Sequence, residues 1–291
     1  MLVRAALAAF LTMAMLSAGC RGPQRSAEEG PPSRVTADVV YGHKAGMALT
    51  YDVVRPEGPA NGAGVLHMVS GGWISRWRPP EEMAESGRFQ ILLDRGFTVF
   101  FVRHGSSPRF KVPEAVADVR LAVAHVRAHA SAYGIDPDRL GLTGASAGGH
   151  LSLSVGLRGE GPDGTPEMPI DRRPNHVAAI VAFFPPVDLR RWVGPNDQFP
   201  ALEFDPALAD EASPILFVSA DDPPTLLLHG DADRLVPIDH SKRLDAAMDD
   251  AGIANDLVVF PGAGHGFQGA DAERSLVLMA DWFERYLIPG R

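Results

Sequence analysis

The sequence predicts an α/β fold: a mostly parallel sheet flanked by helices, with a loop-rich cap. Three observations carry that expectation. Strand-like and helix-like patterns alternate from about residue 35 to the end. Several strand candidates, such as 64–70, 97–103 and 177–184, are continuously apolar, as strands covered on both faces must be. Between them lie segments whose apolar residues recur at three- and four-residue steps.

Each element follows in order. "VTADVVY" and "MALTYDVV" alternate in part and read as an early antiparallel hairpin. "AGVLHMVS" is an apolar strand ending in "GGW". Residues 81–95 are helix-like, and "GFTVFFVR" is a buried strand rich in β-branched and aromatic residues. Val116, Val119, Val123, Val126 and Ala130 mark one face of a helix, and Pro113 sits near its start, where proline is favoured. "LGLTG" is the next strand and residues 147–157 the next helix. "VAAIVAFF" and "PTLLLHG" are strands, and residues 238–251 form a helix with Leu244, Ala247, Met248 and Ala251 on one face. "DLVVFPG" and an amphipathic helix over 272–287 complete the pattern. Residues 158–222 hold many prolines and only one clear strand, 177–184, and suit a cap-like insertion over the C-terminal edge of the sheet.

The N-terminus differs. Arg4 precedes an apolar run from Leu7 to Leu16, followed by the small residues Ser17, Ala18 and Gly19. That is the pattern of an export signal over residues 1–19. Cys20, the only cysteine, follows directly, so no intramolecular disulfide is possible. The arrangement resembles the lipobox of bacterial lipoproteins, which implies lipidation at Cys20. A Pro/Gly-rich tether over 20–34 then leads to a catalytic domain over 35–291. The expectation is an exported, membrane-anchored lipoprotein facing the periplasm or cell exterior. A net charge of −9 without a basic run leaves no footprint for nucleic acid.

The chemistry centres on Gly144-Ala145-Ser146-Ala147-Gly148, a G-x-S-x-G pattern between a strand and a helix. Reversing a strand into a helix this sharply strains the central residue and lifts its hydroxyl above the sheet. Serine is a poor nucleophile near neutral pH and needs a base, and the base needs an orienting acid. In the chain order expected for this elbow the acid comes next and the histidine last. Asp231 and Asp233 both follow "PTLLLHG"; Asp233, just before "RLVP", is the chosen acid and Asp231 a brace for the loop. His265, on the glycine-rich loop "FPGAGHGF", is the base. His229 reads as a packed residue, and His125 and His129 as a solvated helix face without a third metal ligand. Backbone amides of Ala147, Gly71 and Gly72 are the expected oxyanion donors. Trp73 is expected to wall the substrate pocket and His150 to help shape it. No metal and no organic cofactor is required.

The segments "SGGW", "DPDRLGLTGASAGGHLSL", "HGDADRLVP" and "GAGHGF" resemble the α/β-hydrolase superfamily. They look most like hormone-sensitive-lipase-like and bacterial feruloyl or acetylxylan esterase-like carboxylesterases. They are also similar to the catalytic domains of prolyl-oligopeptidase-type peptidases. The resemblance implies an α/β-hydrolase fold and a serine ester hydrolase acting on a small-molecule or polysaccharide-linked ester, such as acylated polysaccharide or plant-derived esters. A peptidase or amidase on the same triad and a non-catalytic binding lipoprotein are the alternatives. One departure stands out: where these esterases carry His-Gly-Gly-Gly, this chain has Val69, Ser70, Gly71 and Gly72. Support for that loop must come from elsewhere.

Overall fold

The computed structural model describes residues 34–157 and 176–290. The signal segment 1–19, Cys20, the tether up to residue 33 and part of the expected cap lie outside the described residues. Eight strands form one sheet in the order β1-β2-β4-β3-β5-β6-β7-β8. β1 (Val35–Lys44) and β2 (Met47–Val54) form the expected antiparallel hairpin. Its two-residue turn, Ala45-Gly46, has positive φ at both positions, as the right-handed twist of paired strands prefers. β2 also pairs antiparallel with β4 (Thr98–Val102). From β4 onward, β3 (Gly64–Met68), β5 (Leu140–Ala145), β6 (Ala179–Phe183), β7 (Thr225–Gly230) and β8 (Asn255–Phe260) pair in parallel.

The inner strands read as apolar runs because both faces are covered. Leu66, Met68, Phe100, Val102, Leu142 and Ile180 point into one core, which is closed by α3 (Val112–Ala128), α4 (Ala147–Gly156) and α5 (Asp239–Ala251). Val65, Val99, Phe101, Val181 and Leu228 point into the other. That core is closed by α1 (Pro80–Glu85), α2 (Gly87–Asp94) and α6 (Gly269–Leu287). Alternation along each strand sends neighbours to opposite faces, so one buried strand feeds two cores.

Two expectations change. The single helix over 81–95 is two helices, because Ser86 is extended, with ψ 131°, and breaks the first after six residues. The range 158–222 is not one insertion, since it contains β6, an inner strand paired on both sides. The irregular part described is 184–224, threaded by short 3₁₀ turns at Pro200–Leu202, Pro206–Leu208 and Pro214–Phe217.

The connectivity fixes where a site can form. The chain leaves β3 for β4 on one side and later returns to β5 on the other. The loops after β3 and β5 therefore diverge and open a crevice at the C-terminal edge.

Candidate active site

Ser146 stands at that crevice, between β5 and α4. Its backbone lies at φ 55° and ψ −119°, a conformation L-residues rarely adopt. Its neighbours allow this because they lack side chains. A Cβ on Gly144 would lie 2.3 Å from the carbonyl carbon of Gly148, and one on Gly148 would lie 2.6 Å from the Met68 oxygen. The turn is pinned by Ser146 N–H to the Phe183 carbonyl at 2.9 Å and by His150 N–H to the Ser146 carbonyl at 2.9 Å.

Three residues distant in sequence meet here. Ser146 Oγ lies 2.9 Å from His265 Nε2, and His265 Nδ1 lies 2.7 Å from Asp233 Oδ2. An ionised carboxylate only accepts, so Nδ1 carries the proton and Nε2 is free to accept from the serine hydroxyl. Asp233 is held by its other oxygen, which accepts the amides of Leu235 and Val236, both at 2.9 Å. Its side chain is fully buried, while His265 keeps 21% exposure at the crevice. Phe184 packs its ring edge against the His265 ring at 4.6 Å. Asp231 accepts the Gly262 amide at 2.6 Å and so ties down the turn that leads to His265.

His229 is buried behind the acid. Its Nε2–H donates to the Val236 carbonyl at 2.8 Å, and its Nδ1 accepts from Ser241 Oγ at 2.7 Å. Burial holds its pKa below the usual histidine value and keeps it neutral. It thus backs the Asp233 loop without adding a charge.

The loop after β3 differs from expectation. Gly71 and Ile74 exchange both backbone hydrogen bonds, at 3.1 and 3.0 Å. The turn between them, Gly72-Trp73, has φ 57° at both residues, which is a type I′ turn. The Gly71 amide is therefore occupied and is not an oxyanion donor. Gly72 and Ala147 keep amides without a partner among the described residues. Trp73 and His150 do not wall an open pocket either. Both are buried, and Trp73 Nε1–H points at His150 Nδ1 at 3.3 Å. His150 Nε2–H in turn donates to the Ala212 carbonyl at 2.8 Å. Burial lowers the His150 pKa to about 4, so the ring is a neutral prop linking the turn to the 184–224 segment.

The missing histidine of the His-Gly-Gly-Gly pattern has a substitute that sequence reading did not find. His104, just after β4, donates from Nδ1 to the Gly105 carbonyl at 2.8 Å, and its Nε2 accepts from Ser70 Oγ at 2.8 Å. Gly105 N–H donates to Asp118 Oδ2 at 2.9 Å, and Lys44 pairs with Asp118 at 2.9 Å. Two further bonds, Ser75 N–H to Ser106 Oγ at 2.8 Å and Ser107 N–H to the Trp73 carbonyl at 3.1 Å, clamp the same loop. The only available signal was "RHGSS" after an apolar strand, which has no fixed spacing to Ser70. His129 is exposed, as expected of a solvated face, whereas His125 is half-buried: the two rings stack at 4.2 Å and His125 Nδ1 lies 2.9 Å from the Tyr51 hydroxyl.

A sheet of this order, with a strained serine after β5 bonded to a histidine after β8, defines an α/β-hydrolase-fold protein. The chain belongs to the BD-FAE family, whose profile matches residues 51–248. It is 31% identical to Esterase LipQ of Mycobacterium tuberculosis over 253 residues, which is 82% of this chain and 59% of LipQ. Among solved structures it is similar to a truncated carbohydrate esterase from gut microbiota, with 30% identity and a TM-score of 0.70. That alignment covers 87% of this chain and 96% of that one. Thermogutta terrifontis esterase 2, in a form phosphonylated by cyclosarin, gives 26% identity and a TM-score of 0.70, again over 87% and 96%. The chain spans about half to three-fifths of the length of the curated relatives it matches first.

Proposed function

We propose that this protein is a serine carboxylic-ester hydrolase. The reading is carried by one observation: the unbroken chain of hydrogen bonds from Ser146 Oγ through His265 to Asp233. As Ser146 Oγ attacks the ester carbonyl, its proton passes to His265 Nε2 and the imidazole becomes charged. Asp233 stabilises that charge and keeps Nδ1 protonated. The carbonyl oxygen, now an oxyanion, accepts from the amides of Ala147 and Gly72. Collapse breaks the bond to the alcohol, which leaves with the proton from His265, and an acyl-serine remains. Water, deprotonated by His265, then attacks the acyl carbon and releases the acid and the free serine.

The named relatives support ester chemistry over amide chemistry, and the similarity to a carbohydrate esterase favours acylated polysaccharide as the natural substrate. Acid release from acetylated xylan and from feruloyl esters, compared side by side, tests the substrate class. Membrane anchoring by lipid on Cys20 is part of the same proposal and rests on the N-terminal pattern alone. Labelled fatty acid should be incorporated by the wild-type chain and not by Cys20→Ala. The activity itself is tested by turnover of p-nitrophenyl acetate. Ser146→Ala should lower kcat by about 10⁶, the scale set by removing the serine of a subtilisin-type triad. Equal turnover by the variant would refute the proposal.

A further inference from the structure

A cleft of about 630 Å³ opens beside the β3 loop, lined in part by Ser70, Gly71, Arg76, Arg78 and Arg88. The three guanidinium groups have no carboxylate partner and no hydrogen bond among the described residues. Other arginines of the domain do pair with carboxylates, for instance Arg95 with Asp281 and Arg103 with Asp52. One carboxylate, Glu82, shares the cleft and forms no ion pair among the described residues, so guanidinium charge outnumbers it. The protein as a whole carries −9, so this concentration of positive charge is local.

Two features tie the cleft to the reaction centre. Ser70 and Gly71 immediately precede Gly72, whose amide is assigned to the oxyanion. Arg88 lies 5.4 Å over the Phe183 ring, and the Phe183 carbonyl accepts the Ser146 amide. Arg88 is half-buried, and a buried charge without a counter-ion is costly. An anionic ligand would relieve that cost. His67, 8% exposed, lines the same cleft with Nδ1 buried and unpartnered. Burial, reinforced by the charge of Arg88, lowers its pKa to about 3, so the neutral ring remains able to donate or accept one hydrogen bond.

We propose that Arg76, Arg78 and Arg88 form a subsite that selects esters whose non-reacting part carries a carboxylate. The fork of an arginine matches the two oxygens of a carboxylate. This proposal rests on the reading that Ser146 cleaves esters, but its test does not depend on turnover alone.

Binding is read by calorimetry on the full chain bearing Ser146→Ala. Glucuronate and benzoate are the charged probes, and methyl glucoside and benzamide the neutral ones. One charged probe should bind at least tenfold more tightly than its neutral partner, more weakly at high salt. The tighter of the two identifies the group that carries the carboxylate as sugar or aromatic. Adding Arg76→Gln, Arg78→Gln and Arg88→Gln should remove the preference. The pair Arg76→Gln and Arg78→Gln, both on exposed residues, should weaken it without disturbing the Phe183 contact. In the active chain, kcat/KM for 4-carboxyphenyl acetate over phenyl acetate should fall at least tenfold in that double variant. Phenyl acetate itself should change less than twofold. Equal binding of charged and neutral probes, or a preference untouched by the substitutions, would overturn the subsite. Cleavage of phenyl acetate with no charge preference would sink the subsite and leave the hydrolase standing. Carboxylate binding by a chain that cleaves no ester would do the reverse.

Discussion

The two oxygens of Asp233 have different duties, and that makes a sharp test. Oδ1 is fixed by the Leu235 and Val236 amides, and Oδ2 faces His265. In Asp233→Asn the oxygen stays with the amides and the new NH₂ turns to His265. It would then donate to Nδ1 and force the proton onto Nε2, where it blocks acceptance from Ser146. We expect kcat for p-nitrophenyl acetate to fall by roughly 10⁴ with the melting temperature little changed. Ser70→Ala probes the neighbouring loop. It leaves His104 Nε2 without its donor and loosens the segment carrying Gly72. Stability should drop by about 1–3 kcal/mol, and kcat should fall more than KM rises, since the oxyanion forms only after binding. At this scale the sequence was legible for Ser146, Asp233 and His265, because strand ends place them. It was silent on His104, whose partner Ser70 follows the neighbouring strand, far away in sequence. It misled on Gly71, whose amide is consumed by a turn that glycine spacing alone does not reveal.

Among elements, the elbow shows how a motif becomes geometry. Strand β5 and helix α4 approach so closely that Gly144 and Gly148 touch backbone to backbone. Gly144→Ala forces a Cβ into the Gly148 carbonyl group, which cannot move without pulling α4 off the sheet. We expect urea denaturation to show a loss of about 3 kcal/mol or more, against an ordinary overpacking range of 1–3. Gly71→Ala is the contrast. Its Cβ would meet nothing within 4 Å and its φ is not positive, so stability should hold within about 0.5 kcal/mol. Residues bearing side chains in the left-handed region mark the same edge: Trp73 after β3, Ser146 after β5 and Phe184 after β6. Strain gathered at three neighbouring strand ends is what a preformed site requires. Strands and long helices were readable because apolar runs and 3.6-residue periodicity are imposed by burial. The break at Ser86 was not, because the apolar pattern continues straight through it.

For the molecule as a whole, the doubly covered sheet fixes the site's position and predicts sensitivity to acid. His67, His150 and His240 are held neutral, with pKa lowered by burial to about 3, 4 and 4; His104 and His229 are lowered for the same reason. A histidine whose folded pKa lies below its unfolded value of 6.5 binds fewer protons when folded. For His67, His150 and His240 the contribution is therefore intact above pH 6.5 and is lost as pH falls towards 3–4, by up to about 1.4 kcal/mol per pH unit for each; for His104 and His229 the direction is the same. The urea midpoint should be flat from pH 7 to 8 and fall steeply below 6.5; a flat profile down to pH 4.5 would contradict this. The class of fold was legible from end to end, since alternation of strand and helix with apolar strands admits few architectures. The segment 184–224 was legible only as irregular, because proline-rich loops carry no period that fixes their path. The central claim is that Ser146 is the nucleophile, activated by His265. Its most direct test is to treat the full chain with a fluorophosphonate and map the adduct by mass spectrometry. The account predicts a single modification, on Ser146, which disappears in Ser146→Ala and is strongly slowed in His265→Ala. An adduct on any other serine, or labelling indifferent to His265, would contradict it.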